Sequence, residues 1–493
     1  MSGGFRAHSR RKKSNSKSQS KPPAKESHAH RRKGAVQRDA ARECALAVVR
    51  GVRADDAYAN ILLSQELRQR RLNKQDAAFA TELANGTVRA QGILDPVIEA
   101  AAQRPVSDID GDLLDVLRLG TYQLLRTNVP PHAAVSTSTE LVRGERGQGA
   151  AGFVNAVLRS VSRKTPEEWM EECAPSYRKD PLGAVAYKTS HPRWIAEAFK
   201  DSLAAEGKED ELSEALAADD ERPIVHLVAL PGLVTAAELA ATTGGEQGTL
   251  SDYAVHLVEG GNPGRLQVVQ EGLARVQDEG SQVVARTLVK AGDSEPQAGE
   301  VWLDLCAGPG GKAALLGAEA AVVGAHVVAV EPVPHRAKLV RQATADLPVT
   351  VVEADGTTIT AAELGYPDGF DRVLVDAPCS GLGSLRRRPE SRWRRQADDL
   401  EELTELQRGL LRNALKLVNE QGYVAYSTCS PHVSETRLVV RSVADETGAS
   451  IIDATQYVGV DADVYSAPFV QLWPHRHCTD AMFVSLMQRA EEK

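Results

Sequence analysis

Two cysteines follow neighbouring predicted strands, and their positions are suited to nucleophilic chemistry. One predicted strand leads into the segment DAPCSG (376–381), and the next leads into the segment STCSP (427–431). A cysteine within a protein usually serves as a small hydrophobic core residue, but core cysteines are less expected directly after strands. Because the thiolate is the reactive form of cysteine, Cys379 and Cys429 are both candidate nucleophiles.

Cys429 is predicted to lie just before the N-terminus of a helix. Ser430 is a residue type that caps helices, and Pro431 is typical of the first helical position. The partial positive charge at a helix N-terminus stabilises a thiolate. This placement favours an ionised sulfur at Cys429.

A glycine-rich turn follows the first strand of the same region. The segment DLCAGPGGK (304–312) leads from a strand into a helix, and its glycines let the backbone turn tightly and approach a ligand closely. The segment does not have the GxxxxGK[ST] spacing of a P-loop. By itself, it is compatible with a bound dinucleotide, a bound phosphate or no ligand.

Acidic residues come in order after the next three strands. Glu331 ends the second strand, Asp355 follows the third and Asp376 follows the fourth. A carboxylate after the second strand commonly accepts hydrogen bonds from ribose hydroxyls, and Asp355 could receive an exocyclic amine. A single acid of this kind is usually a solvated turn residue, but three in succession favour an adenosine-type ligand.

The elements that must position these residues alternate between strand and helix over residues 286–493. This pattern predicts an α/β domain with an open, mostly parallel sheet, which binds ligands at the carboxyl ends of its strands. The predicted strands are Val301–Leu305, His326–Val330, Val349–Val352, Arg372–Val375 and Tyr423–Tyr426, and the predicted helices are Ala313–Ala321, Pro334–Ala345 and Leu400–Val418.

Three further regions precede this domain. Residues 1–35 are rich in Ser, Lys, Arg and His, which is typical of a disordered tail. Residues 36–165 show apolar residues at helical spacing, punctuated by the glycines at 147 and 149. Residues 166–285 are mixed and indicate a linker with a small α+β domain.

Charge is distributed unevenly along the 493 residues, whose net charge is −9. Residues 1–35 contain eleven Lys or Arg residues and one acid, so they carry +10 and the remainder carries −19. A basic tail on an acidic body indicates an anionic partner such as RNA or DNA, or else a solvated extension.

The cysteine pattern and hydropathy exclude several protein classes. The six cysteines form no CxxC pair, which argues against a zinc ribbon or a disulfide scaffold and favours a reducing compartment, the cytoplasm. The most apolar stretch, residues 313–330, is interrupted by Glu319 and His326 and is a poor membrane span. We expect no membrane association and no metal, since the HRHC segment (475–478) lacks a second ligand cluster.

Three motifs resemble those of the Sun/Fmu family of RNA cytosine-5 methyltransferases, which use S-adenosylmethionine. They are LDLCAGPGGK (303–312), DAPCSG (376–381) and TCS (428–430), and their order and spacing agree with the family. The match extends upstream through QDEGSQ (277–282). It covers roughly the last 220 residues with specific motifs, which implies a Rossmann-like class I S-adenosylmethionine-dependent methyltransferase domain.

The helical region resembles the NusB fold, a helical RNA-binding domain. The resemblance rests on YQLL (122–125), VPPHAAV (129–135) and GFVNAVLR (152–159), and SHPRWI (190–195) is similar to the linker that follows. A NusB-like domain joined to a methyltransferase resembles the RsmB-like branch, the bacterial 16S rRNA cytosine-5 methyltransferases. The small α+β domain between them is expected to be RRM-like, and the protein to be a monomer.

The resemblance implies roles for individual residues. Cys429 would attack C6 of cytosine, Cys379 would act in product release, and Asp376 would lie near the base and the methionine end of the cofactor. Glu331 would bind the ribose in place of the family's usual Asp, and Asp355 would face the adenine. The cofactor loop would consist of Cys306, Ala307, Gly308, Pro309, Gly310, Gly311 and Lys312, in which Gly308 replaces a frequent alanine, a change we expect to be harmless.

An arginine-rich segment, residues 386–395, follows the Cys379 turn. Arginines that contact phosphate and a tryptophan that stacks on bases suit RNA beside the site; the alternative is a solvated loop with the tryptophan packed inward. The predicted RNA-binding residues are Arg386, Arg387, Arg388, Arg392 and Trp393. The target cytosine would lie in a loop or in unfolded RNA, because it must leave its stack.

Three alternatives remain open. Cys379 is the rival nucleophile, since cytosine-5 DNA methyltransferases use the cysteine of a Pro-Cys pair. The substrate could be tRNA rather than 16S rRNA. The chain could also be a non-catalytic NusB-like RNA-binding or assembly factor, although both cysteines and all three cofactor acids argue against that hypothesis.

Overall fold

The structure is a computed structural model, which describes residues 39–258, 262–458 and 465–490. The predicted disordered tail, residues 1–35, lies outside the described residues. From Ala40 onward, the described residues form one compact unit. The domain boundaries at residues 165 and 285 therefore stay predictions.

The first part of the described chain is helical, as its apolar spacing predicts. Its helices are α1 (Ala40–Ala54), α2 (Ala59–Arg70), α3 (Lys74–Arg89), α4 (Gln91–Ala102), α5 (Gly111–Arg126) and α6 (Pro131–Val161). Their apolar faces share one core, in which Leu94 and Leu117 are fully buried. Gly147 has a φ of +83° within α6, so this helix is kinked in the segment that the sequence marks as a break.

Short helices lead from this region to a small antiparallel sheet. The helices are α7 (Pro166–Cys173), α8 (Pro181–Lys188), α9 (Arg193–Ala204) and α10 (Leu212–Ala218). The small domain consists of β1 (Val225–Ala229), α11 (Ala236–Thr243), β2 (Glu246–Gln247), β3 (Ala254–Leu257), α12 (Gln267–Gln270) and β4 (Ala274–Val276). Its strand order, β2-β3-β1-β4, with a βαββαβ succession, gives the expected small α+β domain.

Helix α13 (Glu279–Val289) joins the small sheet to the large one. It contacts β1 of the small domain as well as strands and a helix of the following domain. The predicted boundary at residue 285 falls inside this helix. The connection between the two sheets therefore includes a helix that packs against both domains.

The last part of the chain alternates between strands and helices around a large sheet. Its elements are β5 (Val301–Asp304), α14 (Gly311–Val323), β6 (His326–Val330), α15 (Pro334–Ala343), β7 (Val349–Val352), β8 (Phe370–Asp376), α16 (Ser391–Arg394), α17 (Asp399–Leu417), β9 (Val418–Thr428), α18 (Arg437–Thr447), β10 (Ser450–Ile452), β11 (Tyr465–Ser466), β12 (Phe469–Gln471), α19 (Pro474–His477) and β13 (Phe483–Gln488).

The large sheet has the order β11-β12-β13-β9-β8-β5-β6-β7, with β10 paired to β13. Strands β7, β6, β5, β8 and β9 run parallel, and β13 joins β9 antiparallel. Alternate residues of each strand face different cores: Leu303 packs in the core that includes Leu411 of α17, whereas Trp302 packs with Leu315 of α14. Both faces are covered, as expected for parallel strands.

The arginine-rich segment packs against the helical region. Arg392 is fully buried, and its guanidinium donates to Asp220 Oδ1 at 2.7 Å and to the carbonyl of Asp219 at 2.8 Å. The indole N–H of Trp393 donates to the carbonyl of Val88 at 2.8 Å. A buried guanidinium is stable only when it is paired in this way, so this segment joins the helical and methyltransferase-like regions.

No helix within the described ranges combines the length and the apolar character required to cross a bilayer.

We predict that Gly92→Ala will destabilise the protein, although alanine normally stabilises a helix by about 1 kcal/mol relative to glycine. A Cβ atom at Gly92 would lie 2.7 Å from Trp393 Cη2 and 3.1 Å from Ser190 Oγ, so the helical region and the arginine-rich segment would have to separate. Thermal unfolding measures the effect. The matched control is Gly144→Ala in α6, where nothing lies within 4 Å of the added atom; the prediction fails if both variants raise the melting temperature equally.

Candidate active site

The large sheet brings the candidate residues to one edge because its central strands run parallel. On β8 and β9, Asp376 lies directly opposite Ser427. The two cysteine-bearing turns therefore leave the sheet side by side. This adjacency is what the order of the motifs predicts for neighbouring strands.

The sulfur atoms of Cys379 and Cys429 are 3.4 Å apart, and both cysteines are free and half-buried. The hydrogen bond from Cys379 lowers the pKa of Cys429, against the opposing effect of burial. The same hydrogen bond, together with burial, raises the pKa of Cys379 well above its usual value. Cys429 is thus the sulfur that ionises more readily.

The predicted helix beginning at Pro431 is wrong. The chain forms only a short 3-10 turn over Val433–Glu435 before α18 begins. The Ser430 hydroxyl donates to the Glu435 carboxylate at 2.6 Å instead of capping a helix. Because no α-helix starts there, the charge state of Cys429 is governed by its neighbouring side chains and not by a helix dipole.

A partly buried ion pair lies near the Cys429 sulfur. Lys312 Nζ is 2.8 Å from Asp376 Oδ2, and the Ser427 hydroxyl donates to Asp376 Oδ1 at 3.1 Å. Burial opposes the charge of Lys312, but Asp376 outweighs it and raises the pKa of Lys312. The Cys379 hydrogen bond is the largest effect that lowers the pKa of Cys429; the ammonium group lowers it too, but by less than the charge of Asp376 or of Asp480 raises it. The site therefore places both a cation and a carboxylate next to the candidate thiolate.

The glycine-rich turn wraps the carboxyl end of β5. Gly310 has a φ of +109°, a conformation that side chains rarely adopt, and α14 begins at the next residue. The amide of Ala307 donates to the carbonyl of Val330 at 2.9 Å, which ties the turn to β6. Burial raises the pKa of Cys306 well above its usual value, so this cysteine remains a thiol that lines the turn.

Asp304, at the end of β5, carries an unpaired buried oxygen. Its Oδ1 accepts from the amide of Cys306 at 3.3 Å, but its Oδ2 is buried without a hydrogen-bond donor among the described residues. Burial and the charge of Asp376 raise the pKa of Asp304 to about 7. A buried acceptor of this kind requires a partner, and a cationic ligand such as S-adenosylmethionine, with its amino and sulfonium groups, fits that requirement.

Glu331 and Gly308 face each other across the turn. Glu331 is buried, accepts from the amide of Val333 at 3.0 Å and lies 3.5 Å from the Arg336 guanidinium. A Cβ atom at Gly308 would collide with the Glu331 carboxylate and lie 2.9 Å from Arg336 Nε. The expected harmlessness of glycine at 308 thus has a physical reason, because the longer glutamate needs the space that an alanine would fill.

Asp355 lies at the end of β7, at one side of the sheet, away from the cysteines. Its carboxylate accepts from the amide of Thr357 at 2.8 Å and from the Thr357 hydroxyl at 2.7 Å, which lowers the pKa of Asp355. The side chain is exposed and closes a local turn. Its predicted contact with adenine stays a prediction.

Within the arginine-rich segment, the predicted RNA-binding residues divide into two groups. Arg386, Arg392 and Trp393 take partners inside the protein; the guanidinium of Arg386 donates to the carbonyl of Cys478 at 3.0 Å. Arg392 is fully buried, and Trp393 packs inward as the alternative interpretation expects. These three side chains therefore bind groups of the protein itself, and we do not assign them to an RNA interface.

Arg387 and Arg388 differ from the rest of the segment. Arg387 forms a bidentate ion pair with the buried Asp480, while part of its side chain remains exposed. Arg388 is exposed, and its guanidinium lies 5.4 Å from the ring centroid of Tyr58 in the helical region. Their contact with RNA stays a prediction.

The structure adds residues that sequence reasoning did not single out. Asp304 stood in the quoted glycine motif but was not chosen, and Ser281, 3.4 Å from Lys312 Nζ, lies in the QDEGSQ segment. Glu435 lies in no motif that marks chemistry, and Asp480 was given no role. Only their contacts with the two turns and with Arg387 reveal them.

The HRHC segment is engaged in ordinary polar contacts. His475 Nε2 lies 2.9 Å from Glu211 Oε2, and Arg476 donates to the same carboxylate at 2.6 Å. The described residues contain no cluster of three or more His, Cys, Asp or Glu side chains that could hold a metal ion.

Comparison with known proteins identifies two family matches. The family described as 16S rRNA methyltransferase RsmB/F matches residues 294–488, and the NusB family matches residues 39–163. A candidate methyltransferase of Mycobacterium tuberculosis (strain H37Rv) is 52% identical over 92% of this chain and 97% of its own length. The ribosomal RNA small subunit methyltransferase B of Shewanella oneidensis is 30% identical over 84% of this chain and 91% of its own length.

The fold also has a solved counterpart. The crystal structure of the protein PH0851 superimposes with a TM-score of 0.76 at 20% identity, covering 92% of this chain and 99% of that chain. The similarity extends through the helical region, the small domain and the large sheet. The architecture is therefore that of a helical NusB domain followed by an α/β methyltransferase domain with a mixed sheet.

We predict that Gly308→Ala will weaken S-adenosylmethionine binding about tenfold, equivalent to about 1.4 kcal/mol, by displacing the Glu331 carboxylate. Glu331→Asp in the same chain should restore most of the affinity, because the shorter side chain vacates the space. Isothermal titration calorimetry of the single and double variants measures the coupling. Unchanged affinity in Gly308→Ala, or no recovery in the double variant, would contradict the steric pairing.

Proposed function

The chain belongs to the 16S rRNA methyltransferase RsmB/F family of S-adenosylmethionine-dependent methyltransferases, and we propose that it methylates C5 of a cytosine in 16S rRNA through a covalent Cys429–C6 adduct. The observation that carries this proposal is the 3.4 Å separation of the Cys379 and Cys429 sulfurs at the ends of β8 and β9. Two thiols with opposite pKa shifts can divide the roles of nucleophile and proton donor.

Cys429 begins the reaction as a thiolate. C5 of cytosine is a poor nucleophile, but addition of the Cys429 sulfur to C6 removes the ring's aromaticity and makes C5 enamine-like. S-adenosylmethionine supplies the electrophilic methyl group that C5 then takes up. A base removes the C5 proton, and the electron pair of that C–H bond restores the ring double bond as the C6–S bond breaks and Cys429 leaves as a thiolate.

Asp376 and Lys312 provide the charges that this addition requires. Asp376 retains acceptor capacity beyond its bonds to Lys312 and Ser427, and we assign it a hydrogen bond to the exocyclic amine of the cytosine. Negative charge develops on the base when sulfur adds to C6. The buried Lys312 ammonium stabilises that charge, since it acts in a site with little water.

Cys379 acts at the end of the reaction. Burial and the hydrogen bond between the sulfurs keep it protonated, so its S–H can donate to the Cys429 sulfur as that sulfur leaves C6. A donor at this place stabilises the departing thiolate. The geometry thus supports a role for Cys379 in product release.

We assign the approach of RNA to the outer side of the arginine-rich segment. Arg388 is exposed, and it lies on the chain that leaves the Cys379 turn. The target base must be unstacked to reach both the thiol and the methyl donor, so a loop or an unfolded strand suits this site better than a duplex.

The two cysteines give the principal test. We predict that Cys429→Ala will reduce methylation by a factor on the order of 10³ or more, whereas Cys379→Ala will accumulate a covalent RNA adduct. Incorporation of labelled methyl groups and denaturing gel electrophoresis measure the two outcomes. Cys173→Ala, a half-buried cysteine of α7, is the control. The reverse pattern would make Cys379 the nucleophile, and activity in the double cysteine variant would exclude a thiolate mechanism.

We predict that Arg388→Glu will weaken RNA binding about tenfold at low salt, with a smaller difference as salt rises, because phosphate contacts depend on counterion release. Binding of S-adenosylmethionine should not change. Filter binding over a series of salt concentrations measures the slope. Lys416→Glu is the matched charge reversal, since this exposed lysine lies near the end of α17 that precedes β9, at the opposite edge of the sheet. Equal effects of both reversals would contradict a local RNA contact.

A further inference from the structure

A buried carboxylate that the mechanism does not use lies between the two cysteine-bearing turns. Glu435 is fully buried and ends the 3-10 turn that precedes α18. A carboxylate in such a place is costly unless its oxygens are satisfied. The hydrogen bonds of this carboxylate must therefore offset the free-energy cost of its burial.

The Glu435 carboxylate accepts from donors on both turns. Its Oε1 accepts from the amide of Ser380 at 2.7 Å, and its Oε2 accepts from the hydroxyls of Ser380 and Ser430, the latter at 2.6 Å. Ser380 directly follows Cys379, and Ser430 directly follows Cys429. One side chain thus binds the residue next to each sulfur.

Other elements hold this carboxylate in place. Gln407 of α17 donates to Glu435 Oε1 at 3.1 Å and to the carbonyl of Pro378 at 2.8 Å. The hydroxyl of Tyr426 on β9 donates to the carbonyl of Glu435 at 2.7 Å. The position of Glu435 is therefore fixed independently of the two serines, which is what a positioning group requires.

We propose that Glu435 is a positioning residue that ties the Ser380 and Ser430 turns together and thereby holds the Cys379 and Cys429 sulfurs at hydrogen-bonding distance. The Glu435 carboxylate also raises the pKa of Cys379, after the larger effects of the Cys429 hydrogen bond and of burial. This inference rests on the proposed two-thiol function, but its geometry can be tested without RNA or methyl donor.

The distance between the sulfurs can be measured by cross-linking in the whole protein. Diamide removes the two thiol hydrogens and is reduced to the hydrazine, while Cys379 and Cys429 form a disulfide. We expect Glu435→Ala to slow this oxidation about tenfold, because the turns are no longer held together. Peptide mapping by mass spectrometry identifies the cross-link and gives its rate.

The pH dependence of alkylation gives a second readout. In Glu435→Ala, the midpoint for modification of Cys429 by iodoacetamide should move up by about one pH unit, because the Cys379 hydrogen bond no longer stabilises the thiolate. The kcat for methylation should fall, while the KM for S-adenosylmethionine stays unchanged. A residue needed only for folding would change the melting temperature and not these midpoints.

Two further variants make the result decisive. The double variant Ser380→Ala/Ser430→Ala removes the hydroxyl donors and leaves Glu435 in place; we expect it to slow cross-linking as well, and it decides the question if Glu435→Ala does not fold. Glu319→Gln, a half-buried glutamate of α14, is the control and should leave the cross-linking rate unchanged.

The proposal is overturned if folded Glu435→Ala, or the double serine variant, cross-links at the wild-type rate with an unchanged alkylation midpoint. That failure is distinct from a failure of the proposed function. If methylation persists without Cys429 but the turns separate in Glu435→Ala, then Glu435 positions the sulfurs of a site whose chemistry is different.

Discussion

The parallel pairing of β8 with β9 is the constraint on which the site depends. Because Asp376 pairs with Ser427, the two strands end at the same level of the sheet, and each cysteine lies within three residues of this pair. A slip of one residue would turn every side chain of a strand to the other face of the sheet. The buried positions Val373 and Val424 oppose such a slip. The contact between the sulfurs and the bond from Ser427 to Asp376 both depend on this register.

The electrostatics at the same edge of the sheet follow from three neighbouring acids. The buried carboxylates of Asp304 and Glu331 lie near the partly exposed carboxylate of Asp376; Lys312 pairs with Asp376, and the half-exposed Arg336 guanidinium lies beside Glu331. The unpaired oxygen of Asp304 shows where this balance is incomplete. A cationic ligand completes it, because opposite charge is favourable where water is scarce. The negative charge of these acids thus favours binding of a positively charged methyl donor.

Sequence reasoning located the strands and the methyltransferase family but not the contacts between distant segments. His326–Val330 and Val349–Val352 form the strands that their apolar runs predict, since β patterning is local. The predicted helix at Pro431 is wrong, because the Ser430 hydroxyl donates a hydrogen bond to Glu435. This tertiary contact overrides the local preference of serine for capping a helix. The inward contacts of Arg392 and Trp393, and the carboxylate of Glu435, depend on residues far away in sequence. No local pattern reports such partners.

The anchoring of Arg392 limits how this protein can be divided or recombined. Its guanidinium donates to groups of Asp219 and Asp220, and the neighbouring indole donates to the carbonyl of Val88, all of them outside the catalytic half. A chimera that joined this catalytic half to a foreign helical half would leave a buried cation without its acceptors, unless those positions were transplanted too. Each half has its own fold, but neither half can be replaced by that of another protein without the residues that contact Arg392 and Trp393.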